Sequence, residues 1–123
     1  MNIKNKKGLT LIECLISILL LAVILIGGMS LFNNADEMIS RATHKRIALE
    51  IANSKMDLLK SQDYSSITSA TDSITVGSLV ATRTTTVTPV GGQYKNVKVR
   101  VDWTGGGNMT APQHIEIETY IAP

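Results

Sequence analysis

The chain has 123 residues, 44% of them apolar and 4% aromatic, with a formal net charge of +2. That length gives one small domain whose core must rest on Val, Ile and Leu, and a lone cysteine, Cys14, excludes an internal disulfide. Lys4, Lys6 and Lys7 supply three of the twelve basic side chains; the remaining nine face ten acids, which excludes a general polyanion binder beyond the first eight residues.

The chain opens with Lys4-Asn5-Lys6-Lys7-Gly8-Leu9-Thr10-Leu11-Ile12-Glu13 and runs straight into an apolar stretch ending at Phe32, in which Glu13 is the only charge. As a helix, the roughly 24 residues 9–32 span about 36 Å, enough for a hydrocarbon core of about 30 Å. Backbone polar groups in that core must be satisfied internally, so helix is the conformation expected. The lysines before the span place the N-terminus on the cytoplasmic side, and everything after Asn33 is expected to be exported. A cleaved secretory signal has a similar outline, but with a shorter apolar region ending in a small-residue site. Gly27-Gly28-Met29-Ser30 fits that site poorly, and a second helical pattern follows without a break.

Glu13 separates a plain anchor from something more specific. Thr10-Leu11-Ile12-Glu13 fits a capping box, with Thr10 as N-cap and Glu13 reaching back. A carboxylate in a bilayer nevertheless costs about 2.5–3.5 kcal/mol at mid-depth and less near the interface. A cation about 4 Å away returns roughly 4 kcal/mol at an effective dielectric of 20. Cleavage after Gly8 creates such a cation, the amine of Leu9, on the same helix or on a neighbouring one. Capping and neutralisation are compatible roles.

Gly8-Leu9-Thr10-Leu11-Ile12-Glu13 followed by an apolar helix resembles the class III signal of type IV pilins and type II secretion pseudopilins. The resemblance implies that a membrane-embedded prepilin peptidase reads Lys4, Lys6 and Lys7, cuts between Gly8 and Leu9, and methylates Leu9. It implies that Glu13, the fifth mature residue, neutralises a partner subunit's N-terminus during assembly. Leu9 stands where family members more often carry Phe. The span also lacks the proline that many major pilins have at the position of Ser30, so any loosening of the helix falls to Gly27-Gly28. Close helix packing in a membrane explains that glycine pair equally well. Cys14 replaces a usual aliphatic residue and is read as a small apolar side chain.

Beyond the membrane, Ala35, Met38, Ala42, Lys45, Leu49, Ala52, Met56 and Leu59 recur at alternating spacings of three and four, a heptad stripe with Lys45 as its polar intruder. No proline or glycine interrupts Met29 to Lys60, so one helix is expected from about Thr10 to about Lys60. Its amphipathic half needs a surface to lie on, either a second helix or a sheet. Strand patterns follow at Ser73–Val80, Ala81–Thr88, Asn96–Trp103 and His114–Ile121, with turns at Pro89-Val90-Gly91-Gly92 and Gly105-Gly106-Gly107-Asn108. Val97, Val99, Val101 and Trp103 share one face of the third strand; Ile115, Ile117 and Ile121 share one face of the fourth. Lys98 and Arg100 are placed to meet Glu116 and Glu118 across the last hairpin.

The expected fold class is therefore α+β, a long N-terminal helix packed on a small antiparallel sheet. The expected division is a leader at 1–8, a membrane and assembly half at 9–32, and an exported head at 33–123. The head comprises helix 33–60, loop 61–72 and sheet 73–123. This layout resembles the pilin fold. Residues Ala48–Leu59, then Tyr64 and the strand Val97–Trp103, resemble the minor subunits of the V-type pilin and I-type pseudopilin group.

Enzyme chemistry has little support. His44 and His114 are remote from each other and from cysteines or carboxylates at metal-ligand spacing. The Gly105–Asn108 stretch after Asp102 carries too few carboxylates for a calcium loop and reads as a hairpin turn. No catalytic residue, metal or cofactor is assigned. Arg41, Lys45 and Arg46 form a small basic spot for which DNA, lipid head groups and an acidic face of a next subunit are the candidate partners, the last preferred, although three charges at exposed spacing are more often a solvated face.

The function these features imply is that of a structural prepilin subunit of a pilus or pseudopilus, of the minor kind. The alternatives are a major pilin, a competence pseudopilin, or an anchored binding protein that never polymerises. The implied partners are the prepilin peptidase, other pilin or pseudopilin subunits, the inner-membrane assembly platform and the lipid bilayer. The implied location is the bacterial inner membrane, single-pass with the C-terminus outside, and then a filament.

Overall fold

A computed structural model describes residues 10–105 and 110–123. Helix α1 spans Leu11–Ser61, a 3-10 turn follows at Tyr64–Ser66, and four strands complete the chain. They are β1 (Ala70–Val76), β2 (Leu79–Val90), β3 (Tyr94–Thr104) and β4 (Pro112–Ile121). All pairings are antiparallel and the sheet order is β1-β2-β3-β4, a simple meander. The architecture is α+β, one long N-terminal helix and a four-stranded antiparallel sheet, the layout of a pilin-like fold. The chain forms two compact units: one ends at Asp36, and the other runs Glu37–Pro123.

Inside the second unit the core is small and continuous. Val97, Val99, Val101 and Trp103 are all buried on the inner face of β3, as their alternation requires. Ala48, Ala52, Met56 and Leu59 of α1 complete it with Ile67, Val76 and Ala81. Ala48 and Ala52 are fully buried. Burying each β3 valine contributes about 1.5–3 kcal/mol.

The upper half of the heptad stripe is not on this face. Ala52, Met56 and Leu59 pack inward, but toward the N-terminus the buried and half-buried positions become Ala48 and His44. Lys45 and Leu49 are exposed, Leu49 at 44%. A strict seven-residue repeat stays in register only on a supercoiled helix; against a sheet, a helix of 3.6 residues per turn drifts about 20° per heptad. The inward positions here follow the helix's own period, stepping by four from Ala52 to Ala48 and His44 where the heptad would step to Leu49 and Lys45.

The first hairpin also departs from expectation. Ser73–Val80 is not one strand: β1 begins at Ala70, and Gly77-Ser78 forms a two-residue turn between Val76 and Leu79. Gly77 has φ +63°, a conformation costing other residues about 1–2 kcal/mol. Pro89 and Val90, expected in a turn, belong to β2 and pair with Lys95 and Tyr94. β1 extends only as far as the Ala70–Thr85 pair, so Pro89 sits where β2 has become an edge and its missing N–H breaks no ladder. Ser69 continues the edge briefly, its Oγ accepting a hydrogen bond from Val87 N–H at 2.9 Å.

Lys95 ties the helix-to-sheet connection down. Its Nζ donates to the carbonyls of Tyr64 (2.5 Å) and Ile67 (3.1 Å) and lies 4.5 Å from the centroid of the Tyr64 ring. Across the last hairpin Lys98 stands opposite Glu118 and Arg100 opposite Glu116, so the two basic residues face the two acids as expected. Of these, Lys98 reaches diagonally to Glu116 at 3.3 Å, while Arg100 binds Asp102 on its own strand and Glu118 accepts from Asn96.

Candidate processing and assembly site

Lys4, Lys6, Lys7, Gly8 and Leu9 lie outside the described residues, as do Gly106, Gly107 and Asn108 of the expected last turn. The description begins at Thr10, immediately before α1. Thr10 starts the helix with its backbone: its carbonyl accepts the N–H of Glu13 at 2.9 Å and of Cys14 at 3.1 Å. Among the described residues, no side-chain hydrogen bond joins Thr10 and Glu13, so the reciprocal capping box is not formed. The Glu13 carboxylate is exposed and uncommitted to the helix's own end. Its position in the first turn is electrostatically favourable, because the unpaired N–H groups there carry partial positive charge.

Around Glu13 the helix surface is apolar on every side. Leu11, Ile12, Leu15, Ile16, Ile18 and Leu19 are all exposed, and the run continues to Phe32. α1 is long and apolar enough to cross a membrane. Ser17, the next polar side chain, satisfies itself by donating its hydroxyl to the Glu13 carbonyl at 2.8 Å. Cys14 is exposed. Gly27 and Gly28 are helical, and a Cβ at either would meet nothing within 4 Å. One charged group thus stands at the head of an otherwise greasy helix, directly behind a basic leader.

Residues 3–29 match the prokaryotic N-terminal methylation motif. The matched stretch holds the lysines, Gly8, Leu9 and Glu13, and it ends within the apolar run. No curated protein and no solved structure shows significant similarity to the chain. The methylation motif supports a prepilin of the type IV pilin or pseudopilin type, and it points to a structural protein. It implies processing by a prepilin peptidase and assembly with other pilin subunits. The motif and the N-terminal apolar helix together fit anchoring in an inner membrane.

In the second unit, the basic spot on α1 is partly used within the helix. Arg41 pairs with Glu37 one turn away, while Lys45 and Arg46 form no ion pair among the described residues. His114 is exposed on the outer face of β4, and His44 is half-buried with its Nδ1 2.7 Å from the Ser40 carbonyl. One arrangement escaped the sequence reading: Asp72 and Arg83 meet on the helix-facing side of the first hairpin. The signal for it existed in the period-two alternation, which puts Arg83 in line with Ala81, Thr85 and Val87, but the strand misplaced over Gly77 hid it.

Proposed function

We propose that the chain is a structural prepilin subunit of a type IV pilus or type II secretion pseudopilus, cut between Gly8 and Leu9 and methylated at Leu9. The observation that carries this reading is the methylation motif at residues 3–29 running into an exposed apolar stretch of α1, residues 11–32, whose one charge is Glu13. Lys4, Lys6 and Lys7 keep the leader on the cytoplasmic side for the peptidase. The helix holds the subunit in the inner membrane, with the head outside, until the assembly platform moves it into a filament. Glu13 neutralises the Leu9 amine of a neighbouring subunit, a pairing that offsets the cost of a carboxylate in an apolar surround. The resemblance of Ala48–Leu59, Tyr64 and Val97–Trp103 to minor subunits supports the minor kind.

Mass measurement and N-terminal sequencing of the protein from native membranes or sheared filaments test this directly. A chain beginning at methylated Leu9 is expected. A chain that keeps residues 1–8 in cells with active prepilin peptidase would make the protein a plain anchor with a small head.

A further inference from the structure

The chain has one tryptophan, one phenylalanine and three tyrosines, and three of these already have a place. Trp103 is in the core, Phe32 closes the apolar run of α1, and Tyr64 lies under the Lys95 ammonium. Tyr94 and Tyr120 remain, 47% and 65% exposed. Both stand on the face of the sheet turned away from α1, because their alternation is opposite to that of the buried Val97–Trp103 row and of Ile115 and Ile117.

The register brings the two together. Val90, also exposed, pairs with Tyr94, and Tyr120 pairs with Asn96, two residues along β3 from Tyr94. The tyrosines are therefore diagonal neighbours on adjacent strands, about 7–8 Å apart at the backbone and close enough for aromatic side chains to form one platform. Thr88, opposite Asn96, completes a row across three strands with Tyr120.

What surrounds the platform selects its ligand. Both cations of this face are occupied, Lys98 by Glu116 and Arg100 by Asp102, so a phosphate or sulfate chain finds no unpaired positive charge here among the described residues. Glu118 accepts the Asn96 amide N–H, which orients the amide and leaves its carbonyl oxygen as an acceptor. Thr82, Thr84 and Thr86 continue the face along β2 with hydroxyls that donate and accept. A pyranose ring carries C–H groups on its faces, which the negative face of an aromatic ring attracts, and hydroxyls around its rim. A protein partner needs about 800 Å² on each side with an apolar centre, whereas this sheet face turns to hydroxyls and paired charges just beyond Val90 and the tyrosines.

We propose that the Tyr94–Tyr120 platform binds an uncharged polysaccharide, with two sugar rings stacked on the tyrosines and Asn96 and Thr88 hydrogen-bonding the ring hydroxyls. The site lies wholly on the outer sheet face and is independent of the filament reading.

Saturation-transfer NMR on the full-length protein in detergent tests it, with hexasaccharides of β-1,4-glucose, α-1,4-glucose, β-1,4-N-acetylglucosamine and α-1,6-mannose as probes. Saturable binding of at least one is expected. Tyr94→Ala and Tyr120→Ala should each weaken it about tenfold, while Tyr94→Phe and Tyr120→Phe stay within about threefold because the ring does the stacking. Val80→Ala, at an equally exposed apolar residue toward the other end of β2, should change nothing. Unaltered Trp103 fluorescence shows that each variant is folded. Binding to none of the hexasaccharides overturns the proposal, as does binding that survives the double alanine variant, or binding to heparin or single-stranded DNA alone. Leu9 processing and filament incorporation do not enter this measurement, so its failure leaves the prepilin reading standing.

Discussion

Arg83 and Asp72 stand directly opposite each other on β2 and β1, and the guanidinium donates twice to a single carboxylate oxygen, from Nη2 at 2.7 Å and Nε at 3.3 Å. Both side chains point to the helix side of the sheet. An inward-pointing ion pair on the outermost strand also discourages another chain from adding to that edge. The hydrogen bonds from Arg83, reinforced by its charge and that of Lys55, hold the Asp72 carboxyl below its ordinary value of 3.8. Because the folded-state value is the lower one, Asp72 stabilises the fold above about pH 4 and loses that contribution as pH falls through its folded value. Asp72→Asn is expected to lower stability at neutral pH and to flatten the acid limb of the stability profile. Fluorescence of Trp103, the sole tryptophan and buried in the core, reads both.

Thr85 is 1% exposed on the inner face of β2, and its hydroxyl has no hydrogen-bond partner among the described residues. Burying a hydroxyl without a partner costs about 1–3 kcal/mol, whereas a methyl of the same size costs nothing of that kind. Thr85→Val should therefore raise stability by about 1 kcal/mol, seen as a higher melting temperature with unchanged helix and sheet content.

The drift of the helix stripe makes a paired prediction. Ala48→Leu forces extra volume between α1 and the sheet and should cost about 1–3 kcal/mol. Leu49→Ala removes a side chain that is 44% exposed and should cost well under half of that. A heptad-packed helix would give the reverse order, so denaturant melts of the two variants discriminate between them.

Glu13→Ala separates assembly from folding. Glu13 forms no side-chain hydrogen bond or ion pair among the described residues, so head stability and membrane insertion should be unchanged. Incorporation into sheared filaments should be abolished, because a neighbour's Leu9 amine loses its counter-charge. Normal incorporation of the variant would remove the neutralisation role.

How much of the molecule was legible in the sequence depended on how local its cause was. The long helix, the buried row Val97–Val101–Trp103 and the facing of Lys98 and Arg100 toward Glu116 and Glu118 follow from period-two and helical patterns with few competitors. The turn at Gly77-Ser78 was hidden because β-branched residues continue on both sides of it, and one glycine at positive φ outweighs that propensity. Lys98 and Arg100 face Glu116 and Glu118 as expected, but which acid each binds is decided only once the backbone is fixed, Lys98 reaching diagonally to Glu116 and Arg100 turning to Asp102 on its own strand.

By itself the sequence determined the membrane-length helix, its basic approach and its single charge at Glu13, since charge and hydropathy act along one stretch of chain, while the candidate processing site at Gly8 and Leu9 was legible through a resemblance to the class III signal. Tertiary structure alone decided which helix residues face the sheet and that Asp72 and Arg83 share its inner side. Those outcomes depend on how a 3.6-residue helix crosses a sheet and on where that sheet ends, and neither is encoded in any single segment.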